Sequence, residues 1–87
     1  MGLTGDAAKR AALAEIDEYH LAELRRILEF TQTDVAARMG TDQSRVSRVE
    51  HTTDPKLSTL RAYVEALGGT LTIVAEIPGQ EPLFLAL

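Results

Sequence analysis

The sequence has no cysteine and no tryptophan, only three prolines, and aromatics at 5% of its residues. Without cysteine there is neither a disulfide framework nor a thiolate metal site. All three prolines lie at or beyond Pro55, so the first half of the chain meets no proline break. No apolar run approaches membrane-spanning length, and the N-terminus lacks the charged-then-apolar layout of a secretory signal. The reading is a soluble, cytoplasmic protein with no membrane partner. At 87 residues there is room for one domain with a thin margin of buried surface, so pairing with a second copy would help it.

An excess of positive charge is also missing: the net charge is −4. Its distribution matters more than its sum. Residues 25–61 hold seven basic and five acidic side chains (+2), residues 1–24 two and five (−3), and residues 62–87 three glutamates only (−3). A mildly basic centre between acidic ends points to two surfaces for two kinds of partner.

Asp6 can cap a helix through AAKRAALAEIDEYHLAELRRILEF, one long helix or two with a bend near Asp17. Leu13, Ile16, His20, Leu24, Ile27 and Leu28 form its apolar stripe. Thr31 can cap a second helix, QTDVAARM, with Val35, Ala36 and Met39 on one face and Gly40 ending it. Thr41 or Asp42 can cap a third, QSRVSRVEH. After the break at TTDP, Ser58 is the expected cap of a fourth, TLRAYVEAL, with Leu60, Tyr63, Val64 and Leu67 on its apolar side and Gly68-Gly69 closing it. The period then changes. In TLTIVAEI, Leu71, Ile73, Ala75 and Ile77 alternate with their neighbours as in a strand, and PLFLAL beyond Pro78-Gly79 is either a second strand or an apolar tail.

The specific signal lies between Gln32 and Val49. Ala36 is small where two steeply crossing helices would touch, Gly40 turns the chain, and Val46 and Val49 point back toward the preceding helix. At ~100° per residue, Gln43, Ser44, Ser47 and Arg48 share the opposite arc. Amide, hydroxyl and guanidinium groups without a large apolar side chain suit major-groove reading: Gln bonds an adenine edge twice, Arg a guanine edge, and serines reach phosphates or the groove floor. The competing reading is a solvated helix face.

The segment LRRILEFTQTDVAARMGTDQSRVSRVEH, residues 24–51, resembles the Cro/C1 (XRE) helix-turn-helix family, with TQ, A, G, QS and S-R-V-E in register. The resemblance implies a mainly α, lambda-repressor-like fold of four to five helices with a C-terminal β-strand or hairpin. It also implies that Gln32 meets a phosphate, that Gln43, Ser44 and Arg48 meet base edges, that Arg45 and Ser47 line the groove walls, and that Arg25 and Glu50 form a structural ion pair. Glu29 departs from the family, standing where a glycine commonly ends the preceding helix, which suggests a continued or differently ended helix. His51-Thr52 likewise replaces a frequent glycine turn.

The tail LSTLRAYVEALGGTLTIVAEIPG is similar to HigA-type antitoxins, which implies operator repression as a homodimer and neutralisation of a RelE/HigB-like ribonuclease toxin. On that reading residues 1–69 form a helical domain with the helix-turn-helix at about 31–51, and residues 70–87 form a dimerisation strand or hairpin using Leu71, Ile73, Ala75 and Ile77. An intrachain hairpin at Pro78-Gly79 is the other use of the same residues. Glu15, Asp17, Glu18 and Glu23 are candidate toxin contacts by charge complementarity with a basic ribonuclease, or simply a solubilising face. A stand-alone XRE repressor and an interaction module that no longer binds DNA are the rival functions. His20 and His51 lack partners at metal spacing, Ser44 and Ser47 lack a histidine base, and Asp17-Glu18 and Asp42 read as solvated or capping groups. No enzyme, metal or cofactor is expected.

Overall fold

A computed structural model describes residues 19–86. They fall into two compact units: a helical unit, Tyr19–Leu71, and a unit holding the chain from Thr72 onward. The helical unit contains α1 (Leu21–Ile27), α2 (Gln32–Met39), α3 (Gln43–His51) and α4 (Leu57–Ala66).

Its core is small and aliphatic apart from one ring. Val35 and Ala36 of α2, Val46 and Val49 of α3, and Tyr63, Ala66 and Leu67 at α4 are all buried, with Leu21, Leu24, Phe30 and Met39 packed around them. Val35, Val46 and Tyr63 are fully enclosed. Each valine buried this completely stabilises the fold by about 1.5–3 kcal/mol. Ala36, 4% exposed, is the small residue that α2 contributes to this core beside Val35.

Local chemistry sets where the helices begin. Thr31 Oγ1 accepts from the Asp34 N–H (3.0 Å) and Asp34 Oδ2 accepts from the Thr31 N–H (2.9 Å), a reciprocal box that starts α2. The backbone bond to Thr31, then the hydroxyl bond, hold the Asp34 carboxyl below the ordinary carboxylate range. Of the two candidate caps for α3, Asp42 takes the role, accepting from the Arg45 N–H at 2.8 Å. Ser58 does not cap α4. The helix starts two residues earlier, with Lys56 in the cap position and Ser58 inside the first turn. That early start brings half-buried Leu57 into the helix, a packing gain that takes the place of the hydroxyl bond.

The first helix differs most from expectation. The chain is extended at His20, so among the described residues the first helix begins at Leu21, where Glu23 reaches back to accept from the His20 N–H at 3.2 Å. It ends at Ile27 rather than Phe30. Leu13 and Ile16 lie outside the described residues. Ile27 and Leu28, assigned to the apolar stripe, are 57% and 45% exposed, while Arg25 is buried. Ile27 is the last residue of α1 and Leu28 lies beyond it, so neither continues the packed face formed by Leu21 and Leu24.

Glu29 resolves the departure noted in the sequence. It takes the left-handed conformation itself, φ +64°, as Gly40 does after α2 at +71°. The Phe30 N–H donates to the Arg25 carbonyl (3.1 Å) and the Glu29 N–H to that of Arg26 (3.0 Å), matching Thr41→Ala36 (2.9 Å) and Gly40→Ala37 (3.3 Å) after α2. The helix therefore stops as a glycine would stop it, at a steric cost of about 1–2 kcal/mol for a residue with a Cβ. Glu29→Gly is expected to raise the unfolding free energy by roughly 0.5–1 kcal/mol, because relief of that cost exceeds glycine's extra unfolded-state entropy. Chemical denaturation reads this directly, and a loss of stability would contradict it.

In the second unit β1 (Ile73–Ala75) pairs antiparallel with β2 (Leu83–Leu85), Ile73 opposite Leu85 and Ala75 opposite Leu83. The strand expected over residues 70–77 is thus three residues long. Leu71 falls in the helical unit, half-buried, and Ile77 lies past the strand, 51% exposed. The ladder can be no longer than its partner, and PLFLAL supplies three paired residues. Pro78-Gly79 makes the turn: the Gln80 N–H donates to the Ile77 carbonyl at 3.0 Å, and Gly79 has φ +81°, the signature of a type II turn with proline at its second position.

Candidate nucleic-acid interface

α3 is anchored by Val46 (0% exposed) and Val49 (7%), spaced three apart. The same spacing turns Gln43, Ser44, Arg45 and Arg48 outward, and all four are exposed; Ser47 is half-buried. The residues predicted to read DNA therefore share one helix, with Ser47 at the edge of the exposed arc. Gln32, at the first position of α2, is half-buried beside the start of α3, its Oε1 accepting from Gln43 Nε2 at 3.1 Å.

A network of side chains fastens this surface to the frame. Arg25 Nε and Nη2 donate to the two oxygens of Glu50, at 2.6 and 3.2 Å, and Nη1 donates to the Phe30 carbonyl at 3.0 Å. The ion pair expected from the family resemblance is therefore two-pronged and shielded, its side chains 9% and 1% exposed. Gln32 Nε2 donates to Glu50 Oε1 at 2.9 Å. The Tyr63 hydroxyl has a single proton, which goes to the charged Glu50 Oε2 at 2.5 Å; the Leu21 carbonyl at 3.2 Å is the weaker alternative. One carboxylate thus gathers four donors from α1, α2 and α4. Among the described residues no buried side-chain polar atom lacks a partner.

The electrostatics follow from these contacts. Burial pushes the Glu50 carboxyl up, but the bonds from Arg25, Tyr63 and Gln32 outweigh it and hold the group below the ordinary carboxylate range. The bond to Glu50 raises the Arg25 guanidinium against the opposing effect of burial. Burial, then the hydrogen bond to Glu50 and its charge, push the Tyr63 phenol well up.

Sequence reasoning missed the roles of Tyr63 and Lys56. Tyr63 was assigned to a plain apolar stripe, yet a buried phenol needs a partner for its hydroxyl, and that requirement was the available signal. Beside the C-terminal half of α3 lies an open basin of ≈350 Å³ rimmed by Arg45, Arg48 and Lys56, with Asp54 the opposing charge. Lys56 had been counted only toward net charge. Arg38, also exposed, is engaged elsewhere. Its guanidinium stacks on Phe30 at 4.6 Å and donates to the Ala66 carbonyl at 3.3 Å.

Of the candidate toxin contacts, Glu23 is exposed and bonded to the His20 backbone, while Glu15, Asp17 and Glu18 lie outside the described residues. Of the dimerisation candidates, only Ile73 and Ala75 share a strand. Among the described residues no cluster of His, Asp or Glu could hold a metal, and no helix is long and apolar enough to cross a membrane.

Comparison with known proteins agrees with this geometry. The helix-turn-helix family matches residues 21–74. Antitoxin HigA3 of Mycobacterium tuberculosis (strain ATCC 25618 / H37Rv) is 53% identical over 67% of this chain and 56% of its own length. The chain thus spans little more than half of that relative. Antitoxin HigA2 of the same strain is 40% identical over 93% of this chain and 81% of its own. A solved structure, described as induced DNA bending by unique dimerization of HigA antitoxin, superposes with a TM-score of 0.73 at 45% identity, covering 83% of this chain and 97% of that one. This chain belongs to the helix-turn-helix family, among the HigA-type antitoxins.

Proposed function

We propose that the protein is a cytoplasmic, non-enzymatic antitoxin that represses its own operon by reading operator DNA as a homodimer and neutralises a RelE/HigB-like ribonuclease. The observation that carries the DNA half is the outward set Gln43, Ser44, Arg45 and Arg48 over an anchored valine pair. In this reading Gln43, Ser44 and Arg48 meet base edges, Arg45 and Ser47 line the groove walls, and Gln32 meets a phosphate through the Nε2 hydrogen that Glu50 leaves free. Lys56 and Arg45, on the basin's rim, face the flanking backbone.

Salt titration tests it. Affinity for the upstream operator region should fall linearly on a log–log scale, with a slope of about −0.9 for each phosphate neutralised. Arg48→Ala should cost ~1–3 kcal/mol on the preferred sequence and much less on random DNA. Binding with neither salt dependence nor sequence preference would end the proposal.

Two further surfaces complete the reading. Leu83 and Leu85 of β2, 52% and 47% exposed, with Ile73 and Ala75 opposite them, are apolar groups on a two-stranded ribbon that is marginal alone, and a second copy would cover them. Truncation after Leu71 should halve the mass seen by light scattering and weaken operator binding, since two half-sites ~34 Å apart must be held together. An unchanged mass would remove the dimer from the proposal. The carboxylates Glu15, Asp17, Glu18 and Glu23 supply the charge for a basic toxin. A ribonuclease-like reading frame adjoining this one is the partner to co-purify.

A further inference from the structure

One side of α1 packs and the other is bare. Leu21 and Leu24 lie against the core and Arg25 meets Glu50, whereas Glu23 and Ile27, one turn apart, occupy the arc opposite Arg25. Ile27 and Leu28 at the end of the helix are open to solvent, and so is Tyr19 just before its start, at 53% exposed. Among the described residues the other large apolar side chains left open are Ile77, Leu83, Phe84 and Leu85, on the hairpin or beside its turn. The exposed large apolar groups of the helical unit therefore all gather on α1 and its flanks. Such a gathering marks an interaction surface, where a single exposed leucine would not.

The surrounding charge selects the partner. Glu23 Oε1 accepts from the His20 N–H at 3.2 Å, which fixes the carboxylate on the surface and leaves Oε2 to meet a cation. Arg26 and Glu29, also exposed, cancel at the far end, and residues 1–24 sum to −3, so the surround is acidic. A second copy fits poorly, because a two-fold contact would set this acidic surround against itself. DNA, a polyanion, fits worse. A basic protein with an apolar centre fits both features.

We infer that Tyr19, Ile27 and Leu28 form the apolar centre of the surface that holds the toxin, with Glu23 pairing to a cation beside them. The inference rests on the toxin-neutralising reading and deepens it. That reading supplies carboxylates alone, and rim charge steers a partner in while a buried apolar anchor holds it.

The test measures binding of the full chain to the purified ribonuclease encoded beside it. Ile27→Lys suits a helix end, where a cation is favoured, yet it sets a like charge against a basic partner. It should weaken the complex roughly thirtyfold or more, and Ile27→Ser about tenfold, as loss of a central anchor does. Glu23→Gln keeps the bond to the His20 N–H without the charge. It should slow association about threefold at low salt, with the difference shrinking as salt rises. Mass, unfolding midpoint and operator affinity of the free variants should match wild type. If the wild type does not bind that ribonuclease, the toxin reading fails and the inference with it. If it binds, and both Ile27 variants bind within about twofold of it, the inference is overturned while the toxin reading stands. A lower mass for free Ile27→Lys would mean that a second copy covers this face, and a lower unfolding midpoint in both Ile27 variants would mean that residues 1–18 do. Either result overturns the inference.

Discussion

Glu50→Ala is expected to lower the unfolding free energy by about 3–5 kcal/mol. The carboxylate is 1% exposed and holds Arg25, itself enclosed, by two bonds. Its removal leaves a cation with no counter-charge in a site that water reaches poorly, and strands the Tyr63 hydroxyl and the Gln32 amide as well. For a domain of this size the midpoint temperature should fall by roughly 4–8 °C per kcal/mol, enough to unfold much of the population near 37 °C. Replacing both partners, Arg25→Met with Glu50→Leu, should recover most of the loss, because the penalty comes from the unpaired charge more than from the missing attraction. A single variant within 1 kcal/mol of wild type would show that the pair is incidental. The same carboxyl sets an acid limit. Its folded-state pKa lies below the unfolded one, so its contribution is complete above the ordinary carboxylate range and disappears as pH falls through the lowered folded value.

Tyr63→Ala ranks beside it, at about 3–5 kcal/mol, since a fully enclosed ring is lost from the centre of the core. Tyr63→Phe separates ring from hydroxyl and should cost about 1–2 kcal/mol. The phenol also sets an alkaline limit of opposite sign. Its folded-state pKa is raised, so the stability it contributes is whole below about 10, where a free tyrosine ionises, and is lost as pH rises beyond that. Unfolding followed against pH should therefore show a plateau bounded by Glu50 on the acid side and Tyr63 on the basic side. In Tyr63→Phe the alkaline decline attributable to this phenol should be missing; a decline of equal size in both proteins would place its origin elsewhere.

The helix-turn-helix was legible because its determinants are local. Thr31 and Asp42 cap by direct side-chain bonds, Gly40 supplies a left-handed turn, and the three-residue spacing of Val46 and Val49 fixes which arc of α3 faces out. What sequence alone misjudged depended on distant partners. The helix ends at Ile27, so Ile27 and Leu28 surface, while Arg25 turns in to meet a residue twenty-five positions away. Glu29 shows the converse: composition suggested a different helix end, yet the paired backbone bonds at Phe30 and Glu29 imposed the usual one on an unfavourable side chain. The length of β1 was likewise decided by the three residues available across the ladder. Tyr63 joins the site only through tertiary folding, and neither its spacing nor its neighbours in sequence point to Glu50.

The four-donor carboxylate also bears on how such a protein could change its target over time. Exposed positions such as Ser44 and Arg48 lie outside the network around Glu50, so a duplicated copy could acquire a new operator by altering them alone. Glu50 has no such freedom on its own, since replacing it without Arg25 leaves an enclosed cation unpaired and undermines the fold. Sister copies in one cell would then diverge in address while retaining an identical keystone, and a hybrid carrying one copy's α3 surface on the other's scaffold should bind the donor's site.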